Sequence, residues 1–316
     1  MAGLDALVIG CGVSGLTTAV CLAEAGLRVG VRTAAAPAGT TSAVAGALWL
    51  PYLVEPRERV AGWGAVTLTE LRELAADPAT GVRLAAGTVL STSPGEPPPW
   101  TGTVGATRCP PGSLPPGFPA GWRFTAPLVE MPVYLAYLAD RLERAGGQVE
   151  QRPVTSLDEA LAAARLVVNC AGIGARELVP DPAVRPVRGQ VVVVENPGID
   201  EFLAEEPGAG TELRYVLPHR STVVLGGTAE PDDPDLTPRP ELARRIVARC
   251  TELVPALAGA RVVAHRVGLR PFRDQVRLEV EVRDGGRIVH NYGHGGSGVT
   301  LSWGCAREVA ARVRSG

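Results

Sequence analysis

A chain of 316 residues that is 46% hydrophobic and 20% charged can bury one large core or two interlocked ones, and it carries too little charge to stay disordered. Its net charge of −2 and pI near 6.2 give no electrostatic reason to expect nucleic acid or an anionic membrane as a partner. All 31 basic residues are arginine, which excludes a Schiff-base lysine, and with it an internal pyridoxal aldimine, and the lysine of a Walker phosphate loop.

The apolar stretch 6–23 is interrupted by three glycines and follows no basic residue, so it reads as buried core and not as a leader. It divides into a strand at 6–9, a turn Gly10-Cys11-Gly12-Val13-Ser14-Gly15, and a helix at 16–25 capped by Gly26. A second strand follows at 28–31. Residues 39–53 form a small-residue loop running into an aromatic-flanked segment. Residues 62–76 have the pattern of an amphipathic helix. Residues 93–121 hold nine prolines and are expected to be surface loop or a weakly structured lobe, not a core element. A helix is expected at 132–144, a buried strand at 166–172, β-branched strands at 190–195 and 221–225, and a helix at 240–254. Strands at 265–270, 276–282 and 287–291 lead to a second glycine-rich elbow, and a helix at 304–314 closes the chain.

The α/β elements at the two ends bracket a β-rich middle. The fold class is therefore α/β, a Rossmann-like domain interleaved with an antiparallel-sheet-rich α+β domain. The expected division assigns residues 1–75, 130–184 and 262–316 to the first domain and 76–129 and 185–261 to the second. Cys11, Cys21, Cys109, Cys170, Cys250 and Cys305 show no C-x-x-C or zinc-like spacing. They read as reduced thiols of a cytoplasmic protein with no metal site, and the Arg-Ser-Gly end carries no peroxisomal address.

Gly10, Gly12 and Gly15 stand where a dinucleotide fold needs them: one for the tight turn, one for close approach of a pyrophosphate, one for packing the helix on the sheet. The helix then presents free N–H groups and its positive dipole end to phosphates. The second strand should end in a ribose-binding acid, but Arg32 and Thr33 stand there, and no Asp or Glu occurs between Glu24 and Glu55. Arginine there would suit a 2′-phosphate, which leaves an NADP-dependent dehydrogenase as a competing reading.

The segment His290-Asn291-Tyr292-Gly293-His294-Gly295-Gly296-Ser297-Gly298 resembles the signature of the D-amino acid oxidase family. Thr40-Thr41-Ser42-Ala43-Val44-Ala45-Gly46-Ala47-Leu48-Trp49 resembles its flavin loop. Val168-Asn169-Cys170-Ala171-Gly172, Pro186-Val187-Arg188-Gly189-Gln190 and Val267-Gly268-Leu269-Arg270-Pro271-Phe272-Arg273 resemble its central and substrate-arginine segments. The matches run in order over nearly the whole chain.

The resemblance implies non-covalent, elongated FAD held by Gly10, Gly12, Val13, Ser14, Gly15, Arg32, Thr40, Thr41, Ser42, Gly46, Leu48, Val154, Gly172, Gly295, Gly296, Gly298, Val299 and Thr300. The first elbow would take the pyrophosphate. The second, with Thr300 and the N-terminus of the closing helix, would face the pyrimidine end of the flavin. Arg270 would grip a substrate carboxylate through its planar fork, Tyr215 would donate to the same carboxylate, and the Gly296 carbonyl would receive the amine. The Arg270 side chain could instead pair with Glu279. Hydride would pass from Cα to flavin N5, and the products would be a 2-oxo acid, ammonia and hydrogen peroxide, with dioxygen as oxidant. No side-chain base is expected: His294 belongs to the elbow and His290 caps structure.

The side-chain pocket should lie near residues 48–52 and Tyr215. Strand alternation turns Arg214 away from Tyr215, which favours neutral D-amino acids; Arg214 or Arg273 turned inward would favour D-aspartate or D-glutamate. Related oxidases of D-aspartate, glycine or sarcosine are the nearest alternatives. Animal-type members of the family carry a longer active-site lid where this chain has the short segment 207–211, so the resemblance implies an open or differently gated entrance. No nucleic-acid or membrane partner is expected, and a homodimer remains open.

Overall fold

The computed structural model describes residues 3–51, 54–110, 112–206 and 212–314. Among them run fourteen strands: β1 (Ala6–Ile9), β2 (Val29–Arg32), β3 (Val82–Ser91), β4 (Thr107–Arg108), β5 (Ala120–Val129), β6 (Gln148–Glu150), β7 (Leu166–Asn169), β8 (Arg185–Glu195), β9 (Phe202–Glu205), β10 (Glu212–Pro218), β11 (Thr222–Thr228), β12 (Glu230–Pro231), β13 (Val262–Arg283) and β14 (Gly286–His294). The helices are α1 (Val13–Glu24), α2 (Thr41–Val44), α3 (Arg57–Leu74), α4 (Trp100–Val104), α5 (Met131–Arg144), α6 (Leu157–Ala163), α7 (Ala175–Leu178), α8 (Pro240–Leu253) and α9 (Gly298–Arg314). No helix among the described residues is long and apolar enough to cross a membrane.

The strands form one sheet in the order β4-β5-β3-β9-β10-β11-β8-β13-β14-β7-β1-β2-β6, with β12 beside β8. From β14 through β7, β1 and β2 to β6 every pairing is parallel. β1, β2 and β7 are buried at every position, as helices on both faces of a parallel sheet require. From β14 through β13, β8, β11 and β10 to β9 the pairings are antiparallel. In this half the two faces alternate. Val191 and Val193 join the main core, whereas Val192 and Val194 pack with Ile246 and Cys250 of α8. The buried Ala243, Ile246 and Cys250 recur at helical spacing, which gives α8 its single apolar stripe.

The parallel and antiparallel halves are joined by β13. Residues 265–270 and 276–282, expected as two strands, are parts of one 22-residue strand. Its first part pairs with β8 and its second with β14. Pro271 does not break it because its partner is Pro186: neither residue has an N–H, so no ladder donor is left unpaired. β8 and β11 also run further than expected, back to Arg185 and on through Gly226, Gly227 and Thr228. Glycine and proline there disfavour a strand, yet the strands continue.

Three further expectations need correction. α3 begins at Arg57, not residue 62, after Pro56, and Glu58 lies in its first turn. The proline-rich stretch 93–121 is not loop alone: it contains α4 and β4, buries Val104 and Phe118, and packs Trp100 against Phe124 in a tilted pair with ring centroids 5.0 Å apart. The closing helix starts at Gly298, six residues before Gly304. Gly304 belongs to the helix, not to the elbow. A Cβ there would sit 2.3 Å from the Trp63 carbonyl oxygen, so glycine lets α9 press its backbone against α3. That contact offsets the roughly 1 kcal/mol of helix propensity that glycine forfeits.

Candidate active site

A cavity of about 810 Å³ runs along the carboxyl ends of β1 and β2, under the segment 39–50, to the antiparallel sheet. Of the residues the resemblance assigns to FAD or to the substrate, all but Gly15 line it. Gly15 lies behind the wall, where a Cβ would stand 1.9 Å from the Gly10 carbonyl oxygen. Its role is to seat α1 on the sheet. Gly10 turns at φ +99°, with Cys170 O only 2.5 Å from where a Cβ would be. Gly12 serves as N-cap of α1 and would place a Cβ 3.0 Å from Ser42 Oγ. That oxygen accepts from the Val13 N–H at 3.0 Å, joining the segment 40–44 to the helix start.

Two helix N-termini meet here. α9 starts at Gly298, whose Cβ would lie 3.8 Å from Val13 Cγ1, and neither α1 nor α9 has an acid in its first turn. Two positive dipole ends bordering one elongated cavity suit a diphosphate and an electron-rich ring system. Bare glycine backbone at 10, 12, 295, 296 and 298 leaves room for the ligand to approach. These residues fit FAD. At the far end Arg32 is nearly buried and its Nε donates to Glu150 Oε2 at 3.3 Å across the β2–β6 pair. The acid missing from β2 thus has a counterpart on β6, engaged by Arg32 itself. Val154 lines the same end.

Thr300 lines the cavity and also joins two of its segments. Its hydroxyl donates to Leu50 O at 3.0 Å and accepts from Leu50 N at 3.1 Å. It fastens the N-terminus of α9 to the segment 46–50 and leaves one hydroxyl lone pair to accept from a ligand.

At the other end the floor is paved with glycine. Arg270 lies over Gly189, where a Cβ would come within 2.3 Å of Nη1. Tyr215 lies over Gly226 and Gly227, where a Cβ at 226 would stand 1.7 Å from the phenol ring. Gly46 faces the same ring at 3.4 Å, measured from an added Cβ. Arg270 Nη1 donates to Thr228 O at 2.8 Å, and among the described residues no carboxylate pairs with it. Glu279, the expected competitor, takes Arg277 instead, at 2.6 Å. The elbow is tied to this end by the Gly295 N–H, which donates to Pro271 O at 3.0 Å. Leu48 and Leu50 line the cavity, while Tyr52 and segment 207–211 lie outside the described residues.

Neither of the other arginines considered points into the cavity. Arg214 binds Glu205 at 2.9 Å on the α8 side of the sheet and reaches Glu252 at 4.0 Å. Arg273 binds Asp181 at 3.1 Å. The cavity-lining cations among the described residues are therefore Arg32 and Arg270, one at each end.

His294 lines the cavity and is held neutral. Burial pushes its pKa down to about 4. Asn291 Nδ2 donates to Thr18 Oγ1 at 3.1 Å, which turns Asn291 Oδ1 toward His294 Nε2, also at 3.1 Å. The network thus protonates Nε2 and leaves Nδ1 to face the Ser14 hydroxyl at 3.5 Å. One elbow leans on the other through this pair. His290 lies outside the cavity. It is not a cap but a cross-strand tie inside β14, contacting Glu281 Oε2 at 2.8 Å and Asn169 Nδ2 at 3.4 Å. Sequence reasoning missed Thr228 and the glycine floor at 189, 226 and 227. Glycines inside β-branched runs were the available signal, because a strand glycine marks close approach of another group.

Comparison with known proteins gives the class first. Residues 5–312 match the model of the DAO family, FAD dependent oxidoreductases, and the chain belongs to that family. The NADP reading of Arg32 falls with it. Among curated relatives, the chain is 55% identical to the D-amino-acid oxidase of Rubrobacter xylanophilus, covering 97% of this chain and 94% of that protein. It is 51% identical to the D-amino-acid oxidase of Streptomyces coelicolor (98% and 97% covered) and 37% identical to the D-aspartate oxidase of Homo sapiens (97% and 93%). Among solved structures, the glycine oxidase of Geobacillus kaustophilus aligns with a TM-score of 0.81 at 21% identity, over 99% of this chain and 95% of that one. That likeness shows the shared fold.

Proposed function

We propose that the protein oxidises neutral D-amino acids to 2-oxo acids, with release of ammonia and with dioxygen reduced to hydrogen peroxide. The observation that carries this is Arg270, a guanidinium at the flavin end of an FAD-type cavity, anchored by one carbonyl and paired with no carboxylate among the described residues. Bound FAD supplies the hydride-accepting N5. The parallel half of the sheet holds the cofactor and the antiparallel half presents the substrate groups.

Arg270 fixes the substrate carboxylate through its remaining N–H groups, a planar fork that matches a carboxylate. Tyr215 donates to the same carboxylate from its seat on Gly226 and Gly227. The Gly296 carbonyl takes the amine, which reacts in its neutral form. With three substituents of Cα so fixed, the side chain has one direction left, and orientation supplies much of the rate. No side-chain base is required: His294 is neutral, with Nε2 engaged by Asn291.

Preference for neutral side chains rests on charge. Arg214 and Arg273, the two cations that could have met an acidic side chain, are taken by Glu205 and Asp181. The wall beside Tyr215 carries Ala204, Leu213 and Leu217. The test is product analysis of FAD-loaded protein with D-alanine, D-leucine, D-aspartate, glycine and L-alanine. Pyruvate, ammonia and peroxide in equal amounts from D-alanine, with D-aspartate much the poorer substrate, is the expected result. Preference for D-aspartate or glycine would refute the assignment of the pocket.

A further inference from the structure

Residues 188–190 and 228–239 carry polar groups that the reaction does not use. Arg188 is fully buried, with 0% exposure, and a guanidinium removed from water needs partners on every side. It has them. Nε donates to Asp235 O at 2.7 Å, Nη1 to Glu230 Oε2 at 2.6 Å, and Nη2 to Gln190 Oε1 at 2.9 Å and Thr237 O at 2.7 Å. Glu230 also accepts from Arg239 Nη1 at 3.0 Å and from the Thr228 hydroxyl at 3.2 Å. The Gln190 N–H donates to that same hydroxyl at 3.0 Å.

This cluster lies on the sheet face opposite the cavity. Gly189 and Val191 line the cavity, and the alternation of β8 turns Arg188 and Gln190 the other way. Thr228 belongs to both sides. Its hydroxyl sits between Glu230 and Gln190, and its carbonyl accepts from Arg270 Nη1 at 2.8 Å.

We infer that Arg188 and Glu230 are positioning residues for Arg270, acting through Thr228 as a bracket that aims the substrate-binding guanidinium from behind the sheet. The inference rests on Arg270 being the carboxylate anchor. A long arginine side chain held by one carbonyl is aimed only as well as that carbonyl is fixed. Clamping the Thr228 hydroxyl fixes its backbone. One Nη1 hydrogen is then committed, and the second Nη1 hydrogen and Nη2 remain for a carboxylate. An anchor ordered beforehand loses less rotamer freedom when substrate binds. A cluster that merely staples residues 228–239 to β8 would affect stability and leave carboxylate affinity alone.

The experiment uses FAD-loaded enzyme and four variants: Thr228→Val, which removes the hydroxyl and keeps shape and carbonyl; Thr228→Ser, which restores it; Glu230→Gln; and Arg270→Gln. Each is measured for KM and kcat with D-alanine, for inhibition by propionate (D-alanine's skeleton without the amine), and for FAD affinity. With T228V and E230Q, the KM for D-alanine and the inhibition constant of propionate should rise together by about tenfold, with kcat changed by less than about threefold. FAD affinity should not move, and T228S should match the parent. Adding T228V to R270Q should cause no further loss, because both act on one contact. KM and propionate inhibition within about twofold of the parent in T228V would overturn the inference, as would a loss that T228S does not rescue. If E230Q does not fold, T228V decides alone, since it leaves the Arg188–Glu230 pair in place. If R270Q itself binds propionate normally, the anchor reading fails first, and that outcome is distinct from failure of the bracket.

Discussion

Replacing Gly189 by alanine isolates the contact on which the proposed substrate binding rests. The new Cβ would stand 2.3 Å from Arg270 Nη1 and 2.7 Å from Cζ and Nη2. Ordinary contact between such atoms begins near 3.4 Å, so the guanidinium must retreat by roughly 1 Å. The displaced atoms are the free end of a flexible side chain, and Gly189 has no positive φ, so the strand itself tolerates alanine. The loss falls on the 2.8 Å bond to Thr228 O and on the aim of the fork. A charge-assisted hydrogen bond contributes about 1.5–3 kcal/mol, which corresponds to roughly a 10- to 100-fold fall in kcat/KM for D-alanine. Steady-state kinetics should show that fall mainly as a raised KM, with FAD affinity and melting temperature close to the parent. A kcat/KM within about threefold of the parent would refute the glycine floor as a functional device, and so would a loss explained by unfolding or by lost FAD.

Tyr215→Phe keeps the ring on Gly226 and Gly227 and removes one donor; KM for D-alanine should rise by roughly 5- to 20-fold with little change in kcat, and an unchanged KM would remove Tyr215 from the carboxylate site. Gly304→Ala should destabilise the fold by about 2–4 kcal/mol, because the atoms it meets are Trp63 backbone at 2.3–2.6 Å; chemical denaturation measures this, and activity per FAD bound should persist. Burial, helped by the Arg83 and Arg266 charges, pushes the His219 pKa down to about 4. Between the ordinary value near 6.5 and 4 the unfolded chain therefore binds a proton that the folded chain refuses, and stability falls as pH is lowered through that window. The loss from His219 reaches up to about 2 kcal/mol at pH 5; His219→Asn should make the pH dependence of urea unfolding shallower while the contribution of His294 remains, and an unaltered slope would show that His219 contributes none of it.

The dinucleotide unit was legible because its signals are local. β1, the glycine turn, α1 and β2 lie within residues 6–32, and period, glycine spacing and capping act over that distance. The second elbow was legible for the same reason, although its helix start was not: Gly304 looks identical in sequence whether it ends a turn or admits a neighbouring helix, and Trp63, which decides the matter, is 241 positions earlier (304 − 63). The strand ends were misjudged where they pass through glycine and proline, at 185–189, 226–228 and 271, and that is where Arg270 and Tyr215 are seated. Propensity disfavours those residues in strands, but close packing of Arg270 and Tyr215 on the sheet requires them. The bracket around Arg188 was invisible because its partners Glu230, Asp235 and Thr237 are more than forty residues away. Arg188 alone offers no hint that it is buried.

Whether D-amino acids are oxidised at this site is decided by anaerobic spectroscopy of the FAD-loaded protein. D-alanine should bleach the flavin absorption completely, L-alanine should leave it untouched, and admission of air should restore the yellow spectrum with one peroxide formed per flavin. Bleaching by L-alanine, or a spectrum that none of the D-amino acids alters, would contradict the assignment of Arg270 and Tyr215 and require a different substrate for the cavity.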